Sequence, residues 1–162
     1  MYLSTKTYSP EQGLSCAFRQ WRATHSHCSK LHGYALGFKF TFAASTLDDK
    51  NWVVDFGGLK ELKEQLKYWF DHTLAVAIDD PSLSTFKVLQ NEKLFDLRTF
   101  NKVGCEAFAE FAATLATREL IEQRMDSRVW VVQVECFEHA GNSAIYIPNT
   151  NLYPGFPIDG NK

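Results

Sequence analysis

Between Tyr34 and Phe42 every second residue is large and apolar: Tyr34, Leu36, Phe38, Phe40 and Phe42 alternate with Ala35, Gly37, Lys39 and Thr41. Successive side chains of a strand point to opposite faces, so this period of two predicts a strand with one face against a core. Such a face needs a cover, and the chain supplies one. After Gly57-Gly58, the residues Leu59, Leu62, Leu66, Trp69 and Phe70 recur at helical spacing with lysines and glutamates between them. They predict a helix ending near Asp71-His72. Phe108, Phe111, Ala112 and Leu115 mark the apolar face of a second helix over about residues 105 to 124.

The remaining segments fill in a simple order. Residues 13 to 21, GLSCAFRQW, read as a strand entering a histidine-rich loop. WVVDF, at 52–56, reads as a further paired strand or its continuation. VWVVQVECFE, at 129–138, is a strand, and 142–147 is its hairpin partner. Residues 73 to 102 are mixed, with Pro81 as punctuation. Strand, strand, helix, helix, strand, strand describes an α+β layer, with an antiparallel four-stranded sheet and two helices on one face. Open sheet edges of that kind are closed by oligomerisation. The chain has 162 residues, 45% of them apolar, which suits one domain. That domain is expected over residues 1–148. The Pro-, Gly- and Asn-rich residues 149–162 are expected to form an irregular tail.

Charge and cysteine usage narrow the function. A formal charge of −2 without a basic patch excludes a broad nucleic-acid surface. No run of 18 apolar residues predicts a membrane span, and the N-terminal stretch lacks the apolar segment of a signal peptide. The four cysteines, Cys16, Cys28, Cys105 and Cys136, contain no Cys-x-x-Cys pair. Reduced thiols and a cytoplasmic location are the expectation.

The segment THSHCSKLHGY, residues 24–34, holds three of the five histidines and one cysteine. A thiol beside His27 and Lys30 is a candidate nucleophile or base, whereas most lone cysteines are small buried hydrophobes. His25, His27 and His32 are three imidazoles in one loop. That number suits a catalytic zinc with an open position, although a solvated loop explains a bare His-x-His equally well. Asp71-His72 is either an oriented imidazole for proton transfer or an ordinary helix end. Glu138, at a strand end, is either an exposed edge residue or an acceptor for a planar pair of N–H groups.

Taken together these residues resemble the 6-pyruvoyltetrahydropterin synthase superfamily, and within it the 6-carboxytetrahydropterin synthases of queuosine biosynthesis. The resemblance spans about Ser15 to Tyr146. CSKLHG (28–33) is similar to the family's Cys-x-x-x-His-Gly-His, and WVVDFGGLK (52–60) to its Gly-Met-Val-x-Asp-Phe-x-x-Leu-Lys. FDHTL (70–74) is similar to its Leu-Asp-His-x-x-Leu. VGCEAFAEF (103–111) is similar to its Pro-Thr-x-Glu-Asn helix start, and VECFEHAGNSAIY (134–146) to its Val-x-Val-x-Glu-Thr hairpin.

The resemblance implies a tunnelling fold, in which ββααββ subunits form an oligomeric barrel, commonly a hexamer, with active sites between subunits. It implies a pterin triphosphate substrate, 7,8-dihydroneopterin triphosphate. Cys28 would be the proton-transferring thiol, with Asp71 and His72 as its relay from a neighbouring subunit. Glu138, with Glu106 nearby, would anchor the pterin. The implied reaction yields 6-carboxytetrahydropterin, acetaldehyde and triphosphate; a pyruvoyl-type product, or pterin binding without turnover, are the alternatives. Arg19, Arg22 and Lys30 are candidate triphosphate contacts or ordinary solvated charges.

One part of the family pattern is missing. The family binds zinc through three histidines, and here two of those positions are Phe18 and Tyr34. Only His32 remains. His25 and His27 are therefore expected to complete a rebuilt zinc site with His32.

Overall fold

A computed structural model describes residues 1–148; the tail expected over 149–162 lies outside the described residues. The alternating segment is the long central strand β3 (His32–Ala44), and Leu36, Phe38, Phe40 and Phe42 on its core face have no exposed surface. Two shorter strands lie along one side of it, β1 (Tyr2–Tyr8) and β2 (Leu14–Phe18), both antiparallel. Tyr8 pairs with Phe38 and Leu14 with Leu36. Residues 9–13 are thus looped out of what is otherwise one continuous strand. Pro10 starts a 3-10 turn in that loop, and Gly13 closes it with φ +82°.

On the other side of β3 runs β6 (Val129–His139), followed by its hairpin partner β7 (Asn142–Tyr146). Two helices cover the apolar face. These are α1 (Lys60–Phe70), which buries Leu62, Leu66 and Phe70, and α3 (Cys105–Glu122), which buries Phe108, Ala112, Ala116 and Leu120. Phe70 is the hub of their contact. Its ring centroid lies 5.0 Å from Phe38, 5.6 Å from Phe100 and 5.1 Å from Phe108. A buried phenylalanine contributes on the order of 1.5–3 kcal/mol by leaving water. This aromatic cluster therefore fixes how α1 and α3 sit on the sheet.

The α+β class, both expected helices and the terminal hairpin are present, but the sheet is larger than four strands. Residues 73–102 fold as β4 (Thr73–Ala77), α2 (Leu83–Asn91) and β5 (Asp96–Phe100). β4 runs parallel to β2, and β5 parallel to β4. The result is a mixed seven-stranded sheet in the order β5-β4-β2-β3-β6-β7, with β1 beside β3.

The expectation of helices on one face also needs correcting. Ala75 of β4 points into the main core, whereas its neighbours Leu74 and Val76 pack with Phe86 of α2 in a separate cluster. Adjacent strand residues face opposite ways, so α2 covers the far face. WVVDF is not a strand. Val53 and Val54 are buried in a loop that the Arg128 guanidinium pins by donating to the carbonyls of Thr46, Trp52 and Val53. Among the described residues no helix is long and apolar enough to cross a membrane.

Candidate active site

The expected strand over 13–21 stops at Phe18 because Arg19 is tied elsewhere. Its Nε donates to Asp80 Oδ2 at 2.8 Å and its Nη2 to Ser82 Oγ at 3.0 Å, within a two-pronged ion pair to a nearly buried carboxylate. The chain turns there and comes back. Gln20 N–H donates to the Cys28 carbonyl at 2.8 Å, the Cys28 N–H donates to Ser26 Oγ at 3.2 Å, and Ser29 Oγ donates to the Ser26 carbonyl at 2.8 Å. These bonds return Cys28 to the end of β2. Arg19 is consequently not free for a phosphate, and Arg22 is paired with Asp79 at 2.6 Å. Lys30 is exposed.

Cys28 opens onto a cleft of about 190 Å³ shared with Phe18, Gln20, Cys105, Glu106 and Glu138, and with Asn142, Ser143 and Ala144 of the hairpin. Each wall has a local cause. Gly104 starts α3 with φ +118°, and a Cβ there would lie 2.6 Å from the Gln20 amide nitrogen. The positive φ favours glycine there, and the Gln20 side chain fills the space a side chain would take beside the first turn of α3, which carries Cys105 and Glu106. Glu138 sits where the β6–β7 register shifts between Phe137 and His139. A bulge of this kind re-aims a side chain, here into the cleft. Asn142 Nδ2 approaches Glu138 Oε2 at 3.4 Å. The cleft thus joins two thiols, Cys28 and Cys105, to two carboxylates, drawn from three separate elements.

Cys105, Gln20 and Asn142 were not singled out in the sequence. Cys105 is the first residue of an amphipathic helix, where a helical pattern assigns no chemistry. The other two thiols are packing groups. Burial pushes Cys16 up to about 11, and burial beside Cys105 pushes Cys136 well above the ordinary thiol value.

Asp71 and His72 do not line this cleft. They follow the last turn of α1, where His72 adopts φ 56°. The imidazole is 85% exposed, with its Nδ1 2.7 Å from Asp71 Oδ1. The aspartate orients the ring and leaves it exposed, outside the lining of the chain's own cleft.

The three positions that the sequence resemblance assigns to zinc do converge. Phe18 and His32 are register partners with ring centroids 5.3 Å apart, and Tyr34 lies 5.3 Å from His32 and 6.2 Å from Phe18. Yet Phe18 is 2% exposed and offers no donor atom. His25 and His27 are exposed in the loop. Among the described residues no three His, Cys, Asp or Glu side chains are grouped to hold a metal ion. The donors present at this position do not fit zinc.

A larger groove, about 550 Å³, runs beside β1 and residues 47–56. It contains no thiol or imidazole, and its carboxylate, Asp55, is occupied in accepting from the Gly57 N–H at 2.7 Å.

Comparison with known proteins agrees with this architecture. The chain is 29% identical over 122 residues to a 6-carboxy-5,6,7,8-tetrahydropterin synthase from Aquifex aeolicus, covering 74% of this chain and 75% of that protein. Its fold is similar to that of an uncharacterised protein from Wolinella succinogenes, with a TM-score of 0.74 at 18% identity, covering 91% of this chain and 98% of that one. It is also similar to the 6-pyruvoyl tetrahydropterin synthase of Plasmodium vivax, with a TM-score of 0.65 at 15% identity, covering 92% and 99%. The family profile described as 6-pyruvoyl tetrahydropterin synthase matches residues 7–149. A match over that much of the chain, on a fold shared nearly end to end, makes this protein a member of the 6-pyruvoyl tetrahydropterin synthase family.

Proposed function

We propose that the protein is a pterin triphosphate lyase that converts 7,8-dihydroneopterin triphosphate to 6-carboxytetrahydropterin, acetaldehyde and triphosphate, in the branch that supplies queuosine precursors. The observation that carries this reading is the meeting of Cys28, Glu106 and Glu138 in one cleft, at the positions where the sequence resembles the family's motifs. The Aquifex aeolicus relative bears the name of this activity.

In this reading Glu138 accepts hydrogen bonds from the amino-pyrimidine edge of the pterin, a planar pair of donors that suits a carboxylate. Cys28 then faces the propyl side chain and moves its protons, and Glu106 lines the same wall. Asp71 orients His72 as the partner in proton transfer. That pair points outward, so it serves the cleft of a neighbouring copy. The cleft of a single chain, about 190 Å³, is smaller than the roughly 300–1,000 Å³ of a typical small-molecule site, which also favours completion by a second subunit. A homo-oligomer, hexameric by family resemblance and working in the cytoplasm, follows from the same reading.

The test is turnover of 7,8-dihydroneopterin triphosphate by the whole chain, with products identified by mass spectrometry. A 6-carboxytetrahydropterin product that disappears in Cys28→Ala supports the lyase. A pyruvoyl-type product moves the protein to the elimination branch. Pterin binding with no turnover leaves a binding protein.

A further inference from the structure

The zinc positions are filled by an aromatic cluster, and its geometry assigns that cluster a job. Phe18 joins it to the core through Phe108, whose ring centroid is 5.2 Å away in an edge-to-face contact. His32 is edge-on to Tyr34, and its Nδ1 lies 2.7 Å from the Lys30 carbonyl. A carbonyl only accepts, so Nδ1 carries the proton and the ring is fixed. His139 flanks Tyr34 from the hairpin at 6.1 Å. Tyr34 is therefore held on three sides by rings, half-buried, with its hydroxyl as the polar atom it presents.

We propose that this site works without a metal, and that the Tyr34 hydroxyl takes the place of zinc by donating a hydrogen bond to a side-chain oxygen of the bound pterin. The ligand half of this inference rests on the pterin reading above; the metal half does not. Phe18, against which the Tyr34 ring packs, lines the cleft with Cys28 and Glu138, and His139, whose ring flanks Tyr34, directly follows Glu138, so the phenol stands beside the cleft. A ligand whose N–H groups engage Glu138 brings its own oxygen to the side of the cleft where Tyr34 stands, and the hydroxyl donates to it. A phenol polarises an oxygen less than a divalent cation does, but it needs no additional ligands and tolerates Phe18.

The experiment uses the full-length chain after exhaustive chelation, with two readouts. Zinc stoichiometry is measured by metal analysis and calorimetric titration, and pterin affinity by the fluorescence of 7,8-dihydroneopterin. The expected result is no stoichiometric zinc in the wild type and chelator-independent pterin binding. Tyr34→Phe should bind pterin about tenfold more weakly, the cost of one well-placed hydrogen bond, at unchanged thermal stability. Phe18→His combined with Tyr34→His should gain one zinc per chain. One zinc per chain in the wild type, lost in His25→Ala or His27→Ala, would overturn the metal-free site and establish the rebuilt one. Unchanged pterin affinity in Tyr34→Phe would overturn the role of the hydroxyl. A wild type that binds no pterin would refute the proposed substrate, while the zinc titration still decides the metal.

Discussion

The Arg19–Asp80 pair offers the sharpest quantitative test, because it decides where β2 ends and the Cys28 loop begins. The Asp80 side chain is 1% exposed and the Arg19 side chain 22%. Asp80 also accepts from the Ser82 N–H at 2.8 Å. Replacing Asp80 by alanine strands a guanidinium that water reaches only in part. Breaking a buried pair in this way costs about 3–5 kcal/mol, and the partial exposure of Arg19 argues for the lower end. For a domain of this size about 3 kcal/mol corresponds to roughly 6–12 °C in Tm.

The assay is denaturation at fixed protein concentration, since assembly shifts apparent stability. A double-mutant cycle with Arg19→Met and Asp80→Leu isolates the pair. The double variant should recover most of the loss, because apolar groups of similar size replace a buried pair at little cost. The hydrogen bonds from Arg19 hold the Asp80 carboxyl below the ordinary carboxylate range. Its stabilisation is thus complete above the unfolded value of about 3.9 and is lost as pH falls through the lower folded value. A coupling below about 1 kcal/mol, the worth of a surface pair, would refute the reasoning.

Three further outcomes follow. Glu119 is 6% exposed, and burial raises its carboxyl above the ordinary value, so it weakens the fold increasingly as pH rises through that folded value; Glu119→Gln should raise Tm at pH 7, with the gain vanishing on acidification in parallel melts. A methyl added at Gly37 would lie 2.6 Å from Pro10 Cδ, so Gly37→Ala should cost about 1–3 kcal/mol in chemical denaturation. His72 holds φ 56°, a conformation glycine adopts freely, so His72→Gly should leave stability unchanged or raise it by up to about 1 kcal/mol while turnover falls.

What the sequence made legible tracks how each element is buried. The core face of β3 was readable because its other face is partly polar at Lys39 and Thr41. β4 is buried at every position, so TLAVA shows no alternation, as expected of a parallel strand covered on both faces. β1 failed for the opposite reason: Tyr2 and Leu3 are 50% and 57% exposed, and only Tyr8 is buried, so no face is marked. WVVDF carries the apolarity of a strand, but its burial comes from a loop fastened by Arg128, a contact 75 residues away that no local pattern encodes.

In the site, Cys28, Glu106 and Glu138 could be read from motif spacing. The bulge that turns Glu138 inward, the glycine that admits α3, and the thiol of Cys105 depend on register and close approach. These become visible only when strands are paired. The expected triad of His25, His27 and His32 drew on the two ligand positions lost to Phe18 and Tyr34; His25 and His27 instead lie exposed in the loop, and no three donors are grouped among the described residues.

The break in the first strand has a consequence for symmetry. Among the described residues β4 pairs with β2 only at Cys16, Ala17 and Phe18, so its insertion covers that end of the strand while the outer edge of β1 stays unpaired. Among the described residues, β7 is the free edge at the opposite side of the antiparallel part of the sheet. These two edges differ in sequence and length, so a joint between them is head-to-tail rather than two-fold. A head-to-tail joint repeats until its rotation closes a circle, and the number of copies is fixed by the angle between the two edges, not by the area of contact. Residues far from any cleft, in the twist of β3 that carries β1 on one flank and β6 on the other, therefore set how many clefts an assembly contains.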